Sequence, residues 1–278
     1  MNKLNSQTLS KEELKSLGEE GIIPGPDETE AAFVKRIDIL RSQKKQEIDG
    51  KILEEWDPEC GELYGVSPKW IPMTYSNQGL LPWQGAALWV FGEKIPLIQL
   101  RKGFKKGRFL FYSRDEVLSH ETLHALRVAF NEPRFEEILA YEHSASRWRQ
   151  FLGPLFRKPS HALFFISLIL ISLVVQMTSL FFLSSPFLPI IRIVAVVPFV
   201  DLAFRFATLV KDRRILKKAL KKLSQIFPNQ KNTFPIVLRL KDSEIQKFAS
   251  QPVEKLLEYL EVEVPKSPRI RQILAQFC

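Results

Sequence analysis

The chain has 278 residues, 45% of them apolar, which excludes a disordered polymer and leaves room for one large domain or two smaller ones. Its 40 lysines and arginines against 31 aspartates and glutamates give a net charge of +9, whose meaning depends on where the excess lies. Only Cys60 and Cys278 are present, far apart and without partner spacing, which argues against a disulfide framework or a cysteine metal site and fits a reducing compartment.

The opening MNKLNSQTLSKEELK has no apolar centre and does not read as a cleaved secretion signal, so the first section is expected to stay on the side where it is made. Ser10 and Glu13 predict a capping box for a short helix that Gly18 can end. The proline-rich GIIPGPDE leads into a second helix from about Thr29 to Gln46, and the stretch from Trp56 to Pro82 reads as loop-rich. Three strand-like runs follow, AALWVF (86–91), IPLIQLR (95–101) and RFLFY (108–112), and their glycine-containing turns predict a small antiparallel sheet. KGFKKG, between the last two, reads as an exposed basic hairpin.

In SRDE, Ser113 and Glu116 predict another capping box, and Asp115 favours the positive end of a helix running from Arg114 to about Phe130. His120 and His124 fall one turn apart on that helix, the spacing at which two imidazoles grip one tetrahedral ion, with Glu121 beside them. A hydrolytic zinc needs three protein ligands, one open position for water, and a carboxylate to take the proton. Asn131, Glu132 and Pro133 form a turn, and Pro133 is placed to begin a second, antiparallel helix. The first helix advances about 9 Å from His124 to Phe130 and the second returns about 6 Å from Pro133 to Glu137, so Glu136 and Glu137 come near the level of the histidines. Glu136 and His143, seven apart and on one face, are alternative third ligands. Tyr141 and His143 are candidates to stabilise an oxyanion. The polar start and Arg127 make the histidine helix too polar to lie in lipid.

HETLH resembles the HExxH motif of the zincin metallopeptidases, and EILAY, from Glu137, is similar to the glutamate-bearing helix of their gluzincin branch. The resemblance implies Zn2+ bound by His120, His124 and Glu137, with Glu121 as the general base acting on a zinc-activated water. It also implies a small sheet whose edge strand binds substrate in extended form, AALWVF or RFLFY by analogy. Only twelve residues separate His124 from Glu137, which is compact for this branch.

Residues 161–183 carry no formal charge, and as a helix of about 35 Å they are long enough to cross a hydrocarbon core of about 30 Å. A second apolar segment, 186–210, is interrupted by Pro186, Pro189, Pro198, Arg192, Asp201 and Arg205, of which Asp201 and Arg205 are spaced to pair on one face. Arg157 and Lys158 precede the first segment and a run from Lys211 to Lys222 follows the second, while the connecting LSSPFLP is uncharged. The positive-inside rule then predicts a two-span hairpin with both termini cytoplasmic, and the basic flanks attract anionic lipid head groups. No interleaved aromatic and basic code suggests nucleic acid. After the membrane, a basic helix to about Ile226 leads to the apolar IVLRL and to helical segments near 243–260 and 268–277, with no motif of known chemistry.

The expected architecture is α+β, with a compact zincin-like cytosolic domain at 1–158, a transmembrane hairpin at 159–210 and a small, mostly helical cytosolic region at 211–278. The expected activity is that of a membrane-anchored zinc metallopeptidase acting on a protein or peptide. The alternative is a non-catalytic membrane scaffold with a structural zinc or none, against which Glu121 speaks, because a structural site has no use for a base there.

Overall fold

A computed structural model describes residues 8–42, 60–82, 84–92, 94–179, 181 and 188–278. The expected helical residues 43–46, the loop residues 56–59 and the hairpin tip at 182–187 lie outside these. The fold is mixed α+β, with a small sheet and many helices.

Ser10 caps the first helix, Lys11–Glu19, in the reciprocal box with Glu13 that its spacing predicts. Gly18 is a buried member of that helix rather than its end, and the chain turns instead at Gly21, whose φ of 76° suits glycine. The second helix, Glu30–Ser42, packs Phe33, Ile37 and Leu40 into a satellite core with Leu14, Leu17 and Ile22.

The sheet is mixed rather than antiparallel. β1 (Met73–Tyr75), β2 (Ala86–Phe91) and β3 (Ile95–Leu100) lie in the order β1-β3-β2, with β3 antiparallel to β2 and parallel to β1. β1 comes from the stretch read as loop-rich, because three residues are too few to show a period and their partner is remote in sequence. RFLFY does not join this sheet. It breaks at Leu110, whose φ is 51°, into β4 (Arg108–Phe109) and β5 (Tyr112–Ser113), a separate two-stranded hairpin. KGFKKG is a 3-10 turn, Lys102–Lys106, folded inward because Phe104 is buried, and closed by Gly107 at φ 81°.

The histidine helix, Arg114–Leu126, and the return helix, Pro133–Ala140, follow, and a short helix, Arg147–Leu152, leads to the apolar part of the chain. Pro159–Ser179 is apolar on every side, and a single 39-residue helix, Leu188–Ile226, continues through Pro198. Both are long and apolar enough to cross a membrane, and only 6% and 11% of their apolar windows are buried, where the core helix of a soluble protein would be mostly buried. Asp201 and Arg205 pair at 2.6 Å. The long helix then changes character, since Leu216, Ala219 and Leu223 share a face and are buried against the rest of the protein.

The last section forms four helices, Phe234–Val237, Asp242–Ser250, Val253–Glu263 and Pro268–Phe277. One hydrophobic core joins Leu118, Leu123 and Ile138 of the histidine and return helices to Leu223, Ile236, Ile245 and Ile273. Sections that the two long apolar helices separate along the chain therefore share one interior.

Candidate metal centre

Ser113 opens the histidine helix, its hydroxyl accepting from the Glu116 N–H at 3.2 Å. The reciprocal half of the expected box is not made. The Glu116 carboxylate instead takes two hydrogen bonds from Arg149, both at 2.7 Å. Leu118, Thr122 and Ala125, spaced by four and three, turn into the core, which directs His120 and His124 toward the return helix.

There the ligating atoms converge. His120 Nε2 and His124 Nε2 are 3.2 Å apart, and the carboxylate of Glu137 approaches them at 3.8 and 3.5 Å. At zinc–ligand distances of about 2.0 to 2.1 Å and a tetrahedral angle, ligand atoms stand about 3.3 Å apart, so the two nitrogens have the spacing of one edge of a zinc coordination tetrahedron, and the carboxylate lies beside that edge with Oε2 toward His120 and Oε1 toward His124. The chemistry also fits, since two imidazoles and one carboxylate with a corner left open is a donor set of catalytic zinc.

Glu136 does not share that point. Its Oε1 lies 2.7 Å from His124 Nδ1, on the other side of the ring, where it fixes the tautomer and orientation of the imidazole. Sequence spacing places Glu136 and Glu137 at the same level but does not separate a ligand from the group that orients a ligand.

The electrostatics are those of a partly buried anionic niche. Burial works against a charge on His124, but the hydrogen bond to Glu136 and the carboxylates of Glu137, Glu136 and Glu121 outweigh it and raise its pKa to about 9. Burial and the neighbouring His124 lower His120 to about 3, against a hydrogen bond to the Ala140 backbone. Burial raises Glu121 to about 6, an effect that His124 opposes and Glu137 reinforces. Glu137 is also raised, by burial and by Glu136, against the pull of His124 and Arg157.

A cleft of about 170 Å³ reaches the centre, bordered by His120, Glu121, Glu116, Tyr112, Tyr141 and Ala86 of β2, among others. Tyr141 packs edge-on to His120 with ring centroids 4.6 Å apart, and its ring rests on the backbone of Gly153. Burial, reinforced by Glu137, pushes the Tyr141 phenol up and keeps it protonated. His143 is placed elsewhere. Its ring sits between Tyr64 and Phe234, at centroid distances of 5.7 and 4.7 Å, its Nε2 is buried without a partner, and it does not border the cleft.

Two further contributions come from residues no local pattern marks. The return helix has no side-chain cap of its own, and the Asp242 carboxylate accepts from the N–H groups of Arg134 at 2.8 Å and Phe135 at 3.3 Å. Asp212, buried in the long helix, binds Arg134 at 2.7 Å and Arg157 at 2.6 Å. No protein-family model, curated protein or solved structure matches the chain.

Proposed function

We propose that this protein is a membrane-anchored, zinc-dependent peptidase, its two apolar helices spanning the bilayer and both termini on the cytoplasmic side. The observation that carries the catalytic half is the convergence of His120, His124 and Glu137, the two imidazole nitrogens 3.2 Å apart, with Glu121 on the cleft side of the same helix turn. Zinc held by these three residues would polarise a scissile carbonyl and acidify a water molecule. Glu121, with a pKa raised to about 6, is ionised at neutral pH yet close enough to neutrality to accept a proton from water and pass it to the leaving amine. Tyr141, held protonated at the cleft wall, is placed to donate to the developing oxyanion. β2 is the edge of its sheet and borders the cleft at Ala86, which supports binding of the substrate backbone in extended form along that edge. The exposed apolar surface of the two long helices supports the anchoring half, and Lys158, Lys211 and Arg214 at their ends support the orientation.

The test is zinc content and peptide hydrolysis by the purified full chain in detergent, compared with Glu121→Gln. We expect stoichiometric zinc in both proteins and a loss of about 10²- to 10⁴-fold in kcat on substitution. A chain that takes up no zinc, or hydrolysis indifferent to Glu121→Gln, refutes the reading.

A further inference from the structure

Between the cleft and the apolar helices lies a surface poorly suited to water. Phe111 is 86% exposed, more than any other large apolar side chain among the described residues, with Leu110 beside it at 63% and Trp148 at 72%. Leu110 also holds a φ of 51°, where glycine or asparagine would be less strained. The β4–β5 tip thus exposes apolar side chains to water and holds one of them on a strained backbone.

The hairpin that carries the tip is fastened to the short helix that carries Trp148, and that helix meets the long apolar helix. Trp148 and Phe151 are three apart on the short helix and share a face, and the Phe151 ring meets Phe206 of the long helix edge-on at 5.9 Å. Arg149 of the same short helix lies over the Tyr112 ring at 5.1 Å and pairs with Glu116, which fastens the short helix to β5 and the hairpin tip. Only residues 153–158 separate the short helix from Pro159, a reach of about 20 Å at full extension, and part of it is a tighter 3-10 turn. Exposed cations flank these aromatics, with Lys106 and Arg108 before the tip and Arg147 and Lys158 on either side of the short helix, while the partly exposed Asp115 after β5 is paired with Arg114. Exposed aromatic and aliphatic side chains set among cations, at the end of an apolar helix, have the composition of a membrane–water interface.

We propose that the β4–β5 tip and the Trp148–Phe151 face form a third membrane contact, docked in the head-group layer of an anionic bilayer. This rests on the spanning half of the function proposed above and is independent of zinc. Tyr112 and Glu116 belong both to this fastening and to the cleft wall, so the cleft then opens at the level of the head groups.

The experiment is spin-label accessibility in the full chain, reconstituted in vesicles of phosphatidylcholine and phosphatidylglycerol. Single labels are placed by Phe111→Cys, Trp148→Cys, Ile171→Cys and Glu254→Cys in a Cys278→Ser background, Cys60 being buried. Collisions with oxygen report lipid, and those with a water-soluble nickel chelate report the aqueous phase. At 111 and 148 we expect nickel access several-fold below that at 254 and oxygen access several-fold above it, with 171 showing deeper lipid burial. Labels at 111 and 148 as open to nickel as 254, while 171 is lipid-buried, overturn the docking and leave the spans intact. An aqueous signal at 171 overturns the spans and the docking together. Protection of 111 and 148 from both reagents, with dipolar broadening between chains, means that a second copy covers the face and also overturns it.

Discussion

Glu136 and Glu137 are adjacent in sequence but meet the histidines differently, and under the proposed function this gives them different roles that mutation can separate. The two nitrogens of an imidazole point away from each other, so a carboxylate 2.7 Å from His124 Nδ1 cannot share an ion with His124 Nε2. Glu137, 3.5 Å from that Nε2 and 3.8 Å from its counterpart on His120, can. Replacing the group that orients a ligand weakens metal affinity by about 10- to 100-fold, or about 1.4 to 2.7 kcal/mol. Glu136→Gln keeps an acceptor for the Nδ1 proton and removes only the charge, so its effect should be near the tenfold end. Glu136→Ala removes both and should approach 100-fold. Glu137→Gln replaces an ionised ligand by a weak neutral one and should abolish tight binding. Competition titration against a zinc-binding dye, with the full chain in detergent at fixed pH, measures all three. If Glu136→Gln abolishes binding while Glu137→Gln is mild, the two roles are reversed; if neither changes affinity, the centre does not bind zinc.

Other expectations follow from how this centre is held. Asp242→Ala removes the side-chain cap of the return helix and should destabilise the protein by about 0.5 to 2 kcal/mol while weakening zinc binding; the exposed Glu254→Ala should leave zinc binding unchanged, as thermal unfolding and the same titration would show. In Gly153→Ala the added methyl would meet the Tyr141 ring at 2.7 Å or closer, so the ring must move off its support. We expect about 1 to 3 kcal/mol of destabilisation and slower hydrolysis with zinc content unchanged. Burial opposes the ionisation of Glu244, but the charge and hydrogen bonds of Arg269, with those of Lys241 and Tyr259, outweigh it and hold its carboxyl below the usual range. A depressed carboxyl gives stability that is complete above its unfolded pKa of about 4.3 and is lost as pH falls through the folded value. Arg269→Met should therefore destabilise by about 3 to 5 kcal/mol at pH 7 and by clearly less at pH 4, measured by unfolding at the two pH values.

What the sequence discloses here is decided within about four residues. The Ser113 cap, the one-turn spacing of His120 and His124, and Pro133 at the start of the return helix are local signals, and each appears in the fold where its spacing puts it. β2 and β3 are equally legible from their β-branched and aromatic runs. What stays hidden depends on partners far along the chain. β1 exists because Met73 faces Ile98, and Glu116 leaves its expected box because Arg149 arrives beside it. His143 shares a helical period with Glu136, but the helix stops at Ala140, so the period no longer applies and its ring turns to Tyr64 and Phe234. The break at Leu110 is invisible because leucine is not a residue that signals a positive φ.

The stretch with no motif of its own has the most to do with the shape of the centre. The turn between the histidine and return helices is gripped at both ends by residues 238–242. On one side the Arg127 guanidinium, just past the histidine helix, donates to the carbonyls of Leu238 and Leu240. On the other, Asp242 caps the return helix while its own N–H donates to Glu132 at 2.8 Å, a reciprocal cap made across more than a hundred residues. Arg239, between them, reaches the Gly18 carbonyl at 2.9 Å and ties the grip to the first helix. The separation of His124 from Glu137 is short, and six of its residues form a turn with no local side-chain cap on the return helix, so the link between the two helices gains from outside support. The turn that joins the imidazoles to the carboxylate is braced by chain that lies beyond both apolar helices in the sequence.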